Sequence, residues 1–389
     1  PRGDERLTRS RPGVCSLPGH GGAAHLRAAL AATGNRPHMT TIAVRCLLVG
    51  VLTLGGTTSW ASDKSPAWEK QTLEEGVALH DRGDYAGARA KYQEVLAANP
   101  QNETASYELA LTFSAEKNWT ECIRAAESAI QRAERLRPGL YALAGNCYDN
   151  SGQNDKAIRA YEKGLKKAPA DAQLLYNLAL SLKTAGKVEK AIARAEDAVR
   201  AAPRYGSANL LLASLHADRG EKVPALLSYL GFLEVEADTA RSLGVARLVP
   251  GILAHGVTAE ADGGTTMTLG AGFGKGSTPL EAAELAMLMA NAVQGLPENK
   301  IKSDFERLLD NLSGVLTIFA EMHLEKERAC FACSHYLPTF IELQSRGLLE
   351  PFLYSAFAPL ALGGTTDWAA AHEEALSKFA TARQAAGAH

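Results

Sequence analysis

The chain has 389 residues, of which 46% are hydrophobic and 22% are charged, a globular composition that excludes a wholly disordered chain. This length allows two domains. From residue 62 onward there are 34 basic and 41 acidic residues, a formal charge of −7. The excess of acidic groups argues against a nucleic acid or an acidic membrane surface as the partner, because both attract positive charge.

The first segment of the chain differs from the rest in composition. Residues 1–38 are rich in Pro, Gly, Arg and Ala, and we interpret them as a disordered extension or an artefact of upstream translation. Met39 then precedes an apolar run, Cys46 to Gly56, and small residues just before Ser62. This pattern predicts a signal peptide over residues 39–61 and an exported protein, periplasmic or secreted. The run is about half of the ~20 residues that a spanning helix needs, and an uncleaved anchor is the alternative.

A pattern of small, large and aromatic residues begins at residue 76 and then recurs. In its first unit the positions are occupied by Gly76, Leu79, Gly83, Ala88, Tyr92 and Pro100. The first small position returns at Ala110, Gly145 and Ala179, after 34, 35 and 34 residues. Small residues let two backbones approach, glycine permits a tight turn, and proline ends a helix, so each unit predicts two antiparallel helices.

The repeated unit resembles the tetratricopeptide repeat (TPR), whose period is 34 residues. The second unit departs from the pattern because Ala126 stands where the second helix has an aromatic residue, and looser packing is expected there. A fifth unit starts at Gly206 and carries Pro224 near the start of its second helix, as a degenerate or capping repeat would. The resemblance implies an all-α fold, with a solenoid of about five helix-turn-helix repeats over residues 62–240.

The resemblance also implies a function. Stacked repeats form a superhelix whose concave inner surface belongs mainly to the first helix of each unit, and such a surface binds a protein or peptide segment. The predicted groove residues are Leu73, Val77, Tyr107, Leu111, Asn146, Asn150, Tyr176 and Leu180. The alternative is that some of these side chains simply pack on the next unit or on the C-terminal region.

Residues 241–389 show no repeat and predict a helical C-terminal domain. Val257 to Leu269 alternates in polarity and suggests a small β-hairpin. Thr278 with Glu281, and Ser303 with Glu306, are capping boxes that predict helix starts. The second start opens a long amphipathic helix, and the other expected helices cover Leu280–Gln294, Cys330–Gln344, Leu348–Leu360 and Asp367–Ala380.

The pair Cys330 and Cys333 is the one motif of this region that suggests chemistry. A C-x-x-C pair can be redox-active or half of a zinc site. Both cysteines share a helical stripe with Leu337 and Phe340, and residues 322–328 are expected to be helical, so buried thiols are the favoured interpretation. A disulfide formed on export is the second alternative and metal or redox chemistry the third. Four cysteines after residue 62 are too few for a disulfide scaffold, although export could oxidise a pair.

No catalytic motif is present in the sequence. A nucleophile elbow and an H-E-x-x-H helix are both missing, and Lys275 is followed by Gly276 where a phosphate-binding loop needs Ser or Thr. We therefore predict no enzyme activity, no cofactor and no metal. The sequence predicts an interaction scaffold of the cell envelope, with no integral membrane span in the mature chain and no nucleic-acid partner. The competing hypothesis is an envelope enzyme or a metal or redox protein with its site near Cys330 and Cys333.

Overall fold

The protein is described by a computed structural model that covers residues 65–132, 138–237, 239–259, 265–268, 278–296, 299 and 301–387. All of these residues belong to one compact unit, Ser62–His389. The predicted extension and signal peptide, and Lys275 and Gly276, lie outside the described residues. The described part is helical except for one two-stranded sheet, which confirms the all-α fold class. No helix in it is both long enough and apolar enough to cross a membrane.

Ten helices form five antiparallel pairs, which confirms the predicted helix-turn-helix repeats. They are α1 (Pro66–Asp81), α2 (Tyr85–Ala98), α3 (Glu103–Ala115), α4 (Trp119–Arg132), α5 (Pro138–Asn150), α6 (Asn154–Leu165), α7 (Ala172–Thr184), α8 (Val188–Ala201), α9 (Gly206–Asp218) and α10 (Lys222–Val235). Pro224 lies in the first turn of α10, where a missing backbone N–H costs nothing.

The turn inside each unit requires a left-handed backbone conformation. Glycine supplies it in units one, three, four and five, with φ between +71° and +80°. In unit two the same conformation is adopted by Lys117, with φ of +58°. Side chains with a Cβ rarely adopt this conformation, so the turn of unit two is less favourable than the other four.

The small and aromatic positions pack against each other as the pattern predicts. A Cβ added to Gly76 would lie 2.5 Å from the ring of Tyr92, and one added to Gly145 would lie 2.2 Å from the ring of Tyr161. Both tyrosines are buried. Unit two has Ala126 and unit four has Ala195 at the aromatic position, so both units lack the bulk that Tyr92 and Tyr161 supply.

The buried apolar side chains form two clusters. One covers units one and two and the start of α5, and the other continues from α5 through the C-terminal region. A disulfide between Cys122 of α4 and Cys147 of α5 lies at the boundary, with a Cα–Cα distance of 5.9 Å. No pattern in the sequence pairs these two cysteines. The link joins unit two to unit three where the aromatic residue of unit two is missing.

The C-terminal region is formed by seven further helices and the predicted hairpin. They are α11 (Ala240–Ala254), β1 (Val257–Ala259), β2 (Thr265–Met267), α12 (Pro279–Val293), α13 (Asp304–Glu321), α14 (Phe331–Ser345), α15 (Leu349–Phe357), α16 (Thr365–Ala371) and α17 (Glu373–Gly387). The strands are antiparallel, with Val257 opposite Met267. Both predicted capping boxes are present, at the starts of α12 and α13.

Two expectations for this region are wrong, and one helix was missed. α11 was not predicted by the periodicity, because Pro250 interrupts it. Residues 322–328 are not an α-helix: His323 is left-handed, with φ of +54°, and only Leu324–Lys326 form a 3₁₀ turn. The helix expected over Asp367–Ala380 is divided into α16 and α17 at His372.

The C-terminal region packs directly on the fifth unit. The ring of Tyr336, in α14, lies against Gly231 of α10, where a Cβ would be 2.3 Å from the ring. The hydroxyl of Tyr336 then donates to Oδ1 of Asn209 in α9, at 2.6 Å. α10 is buried along its length from Val223 to Leu233. One continuous core therefore crosses residue 240, and the predicted domain boundary there stays a prediction.

Helix α12 is largely apolar apart from Glu281, Glu284 and Asn291, but only part of its apolar surface is covered. Ala283, Met287 and Leu288 are buried, whereas Met289 and Val293 are 53% and 46% exposed. An amphipathic helix would present polar residues at such positions. The described part of the chain leaves this face of α12 uncovered.

Candidate binding groove on the first helices

The first helices occupy the inner side of the repeat array. The first helices of units one to four, α1, α3, α5 and α7, each contact the first helix of the next unit, whereas successive second helices in the described part have no contact of similar extent. The first helices of neighbouring units are therefore closer together than the second helices. Such an array curves so that the first helices line its inner, concave side. The predicted groove residues all lie on this inner set of helices.

The apolar groove residues of units one and two lie at the edge of one buried cluster. Leu73 and Val77 in α1, and Tyr107 and Leu111 in α3, are half-buried and pack against the cluster of units one and two. Burial raises the pKa of Tyr107, so its hydroxyl stays neutral at any physiological pH. The four side chains together present an apolar surface whose outer parts remain accessible.

The apolar members in the fourth unit extend this surface. Tyr176 is half-buried and meets Tyr205 edge to face, with ring centroids 5.4 Å apart. Leu180, one turn further along α7, is 42% exposed. An exposed leucine beside an anchored aromatic ring offers an apolar contact to a partner segment.

The two asparagines of the set have different environments. Oδ1 of Asn146 accepts hydrogen bonds from the hydroxyl of Tyr161, at 2.7 Å, and from Nδ2 of Asn177, at 3.1 Å. Asn146 therefore links unit three to unit four in addition to facing the groove. Asn150 is exposed, and its Nδ2 donates to the backbone oxygen of Asn146 one turn earlier. Whether either amide holds a peptide backbone stays a prediction.

A polar network beside Asn146 was not predicted from the sequence. The carboxylate of Asp149 accepts from the hydroxyl of Tyr161 at 2.9 Å, from Ser181 and from Nδ2 of Asn154. Burial raises the pKa of Asp149 in spite of these hydrogen bonds. The only available signal was that Asp149 lies one helical turn after Asn146, and that signal does not reveal the partners in other helices.

Polar contacts connect other neighbouring first helices in the same way. Nδ1 of His80 lies 2.9 Å from Oγ1 of Thr112, which joins α1 to α3. Nζ of Lys183 lies 2.8 Å from a carboxylate oxygen of Asp218 and 3.2 Å from Oγ of Ser214, which joins α7 to α9. These contacts fix the relative positions of the first helices before any partner binds. A preorganised surface loses less conformational entropy on binding.

The predicted chemistry near Cys330 needs a correction. The two sulfurs form a disulfide, with a Cα–Cα distance of 5.2 Å, so the favoured interpretation of two free thiols is wrong. That this disulfide forms on export stays a prediction. Cys330 precedes α14 as its N-cap, and its Sγ accepts from the backbone N–H of Cys333 at 3.1 Å. Both residues are buried, at 3% and 0% exposure. His335 stacks on the ring of Phe331 instead of approaching the sulfurs.

The described residues contain no group of three or more His, Cys, Asp or Glu side chains that could hold a metal ion. Sulfurs that are bonded to each other cannot act as thiolate ligands. The predicted absence of a cofactor, a metal and an enzyme activity stays a prediction.

Comparisons with known proteins concern the repeat region. Residues 76–115 match the family model of the TPR repeat, and residues 143–182 and 176–238 match that of the tetratricopeptide repeat. No curated protein sequence matches the chain.

Solved structures resemble a part of the chain at low identity. PilF of Pseudomonas aeruginosa is 21% identical, with a TM-score of 0.42, over 47% of this chain and 83% of that chain. MamA from Desulfovibrio magneticus RS-1 is 17% identical, with a TM-score of 0.40, over 45% of this chain and 96% of that chain. YrrB, described as a TPR protein with an unusual peptide-binding site, is 15% identical, with a TM-score of 0.37, over 45% of this chain and 93% of that chain. These similarities carry no inference about what this chain binds.

Proposed function

Because residues 76–115 and 143–238 are tetratricopeptide repeats, we propose that the protein is an exported interaction scaffold that holds a segment of a partner protein. The segment lies on the inner surface of the array, against the predicted groove residues. The observation that carries this proposal is the row of half-exposed apolar side chains on successive first helices, which polar contacts hold in place. Aromatic anchors flanked by polar groups are the usual composition of a peptide-binding surface.

Two oxidised cysteine pairs support export. Cys122 is bonded to Cys147, and Cys330 to Cys333, and disulfides persist in oxidising compartments such as the periplasm or the exterior. We expect these four cysteines to resist alkylation in intact cells until a reductant is added. Alkylation of all four without reductant would contradict export. Mass spectrometry of the same material, which we expect to begin at Ser62, tests cleavage of the signal peptide.

The groove is tested by removing its aromatic anchors. We expect the double variant Tyr107→Ala and Tyr176→Ala to weaken capture of the native partner by at least about tenfold, because each large side chain removed costs ~1–2 kcal/mol of binding free energy. The matched control is Tyr354→Ala, which truncates a half-buried tyrosine of the C-terminal region. Circular dichroism checks that all variants keep their helical content. Unchanged capture by the double variant would contradict the groove.

The partner itself can be identified by site-specific photo-crosslinking in native membranes and periplasm. A crosslinker at Leu180, which is 42% exposed on the inner surface, is expected to capture one protein reproducibly. The same crosslinker at Lys190, exposed on α8, serves as the control for the outer surface. Equal capture of the same protein from both positions would show that the inner surface is not the binding site.

The competing hypothesis places an enzyme or redox site at Cys330 and Cys333. We favour the scaffold because both cysteines are almost completely buried, so a partner thiol has no access to the sulfurs. The double variant Cys330→Ser and Cys333→Ser is expected to bind the partner normally. Loss of binding by a folded variant would support the competing hypothesis.

A further inference from the structure

A second recess lies on the other side of the array, between the second helices of units two and three. It encloses about 410 Å³ and is bounded by α4, α5 and α6. We call it the outer recess and define it by six side chains: Ile130 of α4, Tyr141 and Tyr148 of α5, and Lys156, Arg159 and Lys163 of α6. Because α4 and α6 are second helices, the outer recess opens away from the predicted groove.

One wall of the outer recess is a row of cations. Lys156, Arg159 and Lys163 follow each other at intervals of three and four residues, which places them on one face of α6. All three are exposed, and none forms an ion pair within the described part of the chain. The row is about 10 Å long, at 1.5 Å of helix per residue.

Arginines on the other second helices behave differently. Arg89 of α2 pairs with Glu116, Arg124 of α4 with Glu121, and Arg194 of α8 with Asp197. Residues 62–389 also carry a net charge of −7. The outer recess therefore has three cations that form no ion pair within the described residues, against the one carboxylate of Glu127, and this locally positive lining attracts an anionic group.

One acidic residue, Glu127 of α4, also lines the outer recess. Glu127 of α4 accepts a hydrogen bond from the hydroxyl of Tyr148. Burial, together with Glu127, raises the pKa of Tyr148 to about 12, so the hydroxyl keeps its proton. Glu127 keeps its negative charge in this hydrogen bond and forms no ion pair with the cations of α6 in the described part of the chain, so three cations face one carboxylate in the lining.

The floor of the outer recess is apolar and aromatic. The ring of Tyr148 lies 5.5 Å from Nζ of Lys156, and Tyr141 is buried, with 7% exposure. Ile130 of the opposite wall is half-buried. A floor of this kind accepts an apolar side chain, while the cationic wall beside it accepts carboxylates.

We propose that the outer recess binds an extended acidic segment of a partner protein. In an extended chain, side chains on one face recur about every 6.6 Å, so two acidic residues at alternate positions span most of the cationic row. Their carboxylates contact Lys156, Arg159 and Lys163, and an apolar side chain of the segment packs on Tyr141 and Tyr148. A protein segment fits better than an anionic membrane surface, because the cations border a recess with an aromatic floor and do not project from a flat face.

The test uses the purified full chain and a short fluorescein-labelled peptide in which glutamate and leucine alternate. Fluorescence anisotropy is expected to show binding that weakens as salt is added, because salt screens the ion pairs. The triple variant Lys156→Glu, Arg159→Glu and Lys163→Glu should bind at least about tenfold more weakly. The same peptide with glutamine in place of glutamate should also lose binding, which separates charge from apolar contact.

A matched variant controls for the change in net charge. Lys166→Glu, Lys167→Glu and Lys190→Glu reverse three exposed lysines outside the outer recess, and peptide binding should be unchanged. The variant Tyr107→Ala and Tyr176→Ala should also keep the peptide, which separates this site from the predicted groove. Circular dichroism verifies the fold of each variant.

Three results would overturn the proposal. The first is that the wild-type chain does not bind the glutamate peptide, and the second is that both triple variants lose it equally. The third is that the chain ignores the peptide but binds vesicles of phosphatidylglycerol through Lys156, Arg159 and Lys163, which would assign the outer recess to an anionic membrane.

Discussion

Removal of the disulfide between Cys122 and Cys147 is expected to destabilise units one and two selectively. The disulfide closes a loop with a sequence separation of 25, and the loss of chain entropy in the unfolded state corresponds to about 3.5 kcal/mol at 25 °C. The pair Cys330 and Cys333 has a separation of only three, for which the same relation gives about 1.6 kcal/mol. The longer loop should therefore contribute more to stability.

The effect can be measured in a background that contains only one of the two disulfides. In residues 62–389 with Cys330→Ala and Cys333→Ala, only the disulfide of Cys122 and Cys147 remains. Equilibrium unfolding in urea, followed by circular dichroism with and without dithiothreitol, then reports the contribution of that one bond. We expect reduction to lower the free energy of unfolding by about 3.5 kcal/mol.

Hydrogen exchange locates the effect along the array. The apolar cluster of units one and two is separate from the larger cluster, so reduction should accelerate amide exchange in α1 to α4 more than in α7 to α10. An unchanged urea midpoint on reduction would refute the entropic argument. Uniform acceleration across all ten helices would refute the division into two clusters.

Three further substitutions test individual features. Lys117→Gly should stabilise the protein by about 0.5–1 kcal/mol in urea unfolding, because it relieves a left-handed backbone, and destabilisation would contradict this. Gly145→Ala should cost ~1–3 kcal/mol in the same assay, because its Cβ would collide with Tyr161, and a neutral result would show that the ring can move. Burial lowers the pKa of His216 in the folded protein despite its hydrogen bond to Glu221. The unfolded chain therefore takes up this proton at a higher pH than the folded protein, and the free energy of unfolding decreases as the pH is lowered below about 6.5. His216→Gln should reduce this fall between pH 7.5 and pH 5.5, and an unchanged pH profile would exclude His216 as a source.

The repeat region was predictable because its local signals agree with its packing. The pairs Gly76 with Tyr92 and Gly145 with Tyr161 recur at one spacing, and each is a steric requirement that the sequence displays directly. The missing aromatic of unit two at Ala126 was equally visible. Periodic packing of this kind needs no knowledge of distant contacts.

Other features depend on contacts between positions that are distant in sequence. Nothing in the sequence brings Cys122 to Cys147, because their approach requires α4 and α5 to pack at a particular register. Asp149 likewise meets Ser181 only after units three and four have stacked. α11 was missed for a local reason: its capping box uses Ser242 where the common pattern has Glu or Gln, and Pro250 lies within it.

The outer recess also could not be predicted from the sequence, because it depends on contacts between helices. The charges of Lys156, Arg159 and Lys163 are visible in the sequence, but exposed cations usually form a solvated helix face. Their significance comes from the walls that α4 and α5 add and from the fact that none of the three forms an ion pair in the described part of the chain.

The contact of Tyr336 with Gly231 and Asn209 distinguishes the fifth unit from the other four. Apart from the disulfide between units two and three, units one to four meet their neighbours mainly through positions that recur, so a copy of one of them could be inserted or removed with modest rearrangement. Unit five has a glycine and a buried asparagine shaped for one particular tyrosine outside the array. The number of repeats can therefore change during evolution only on the N-terminal side of this unit, while unit five is inherited together with the C-terminal region.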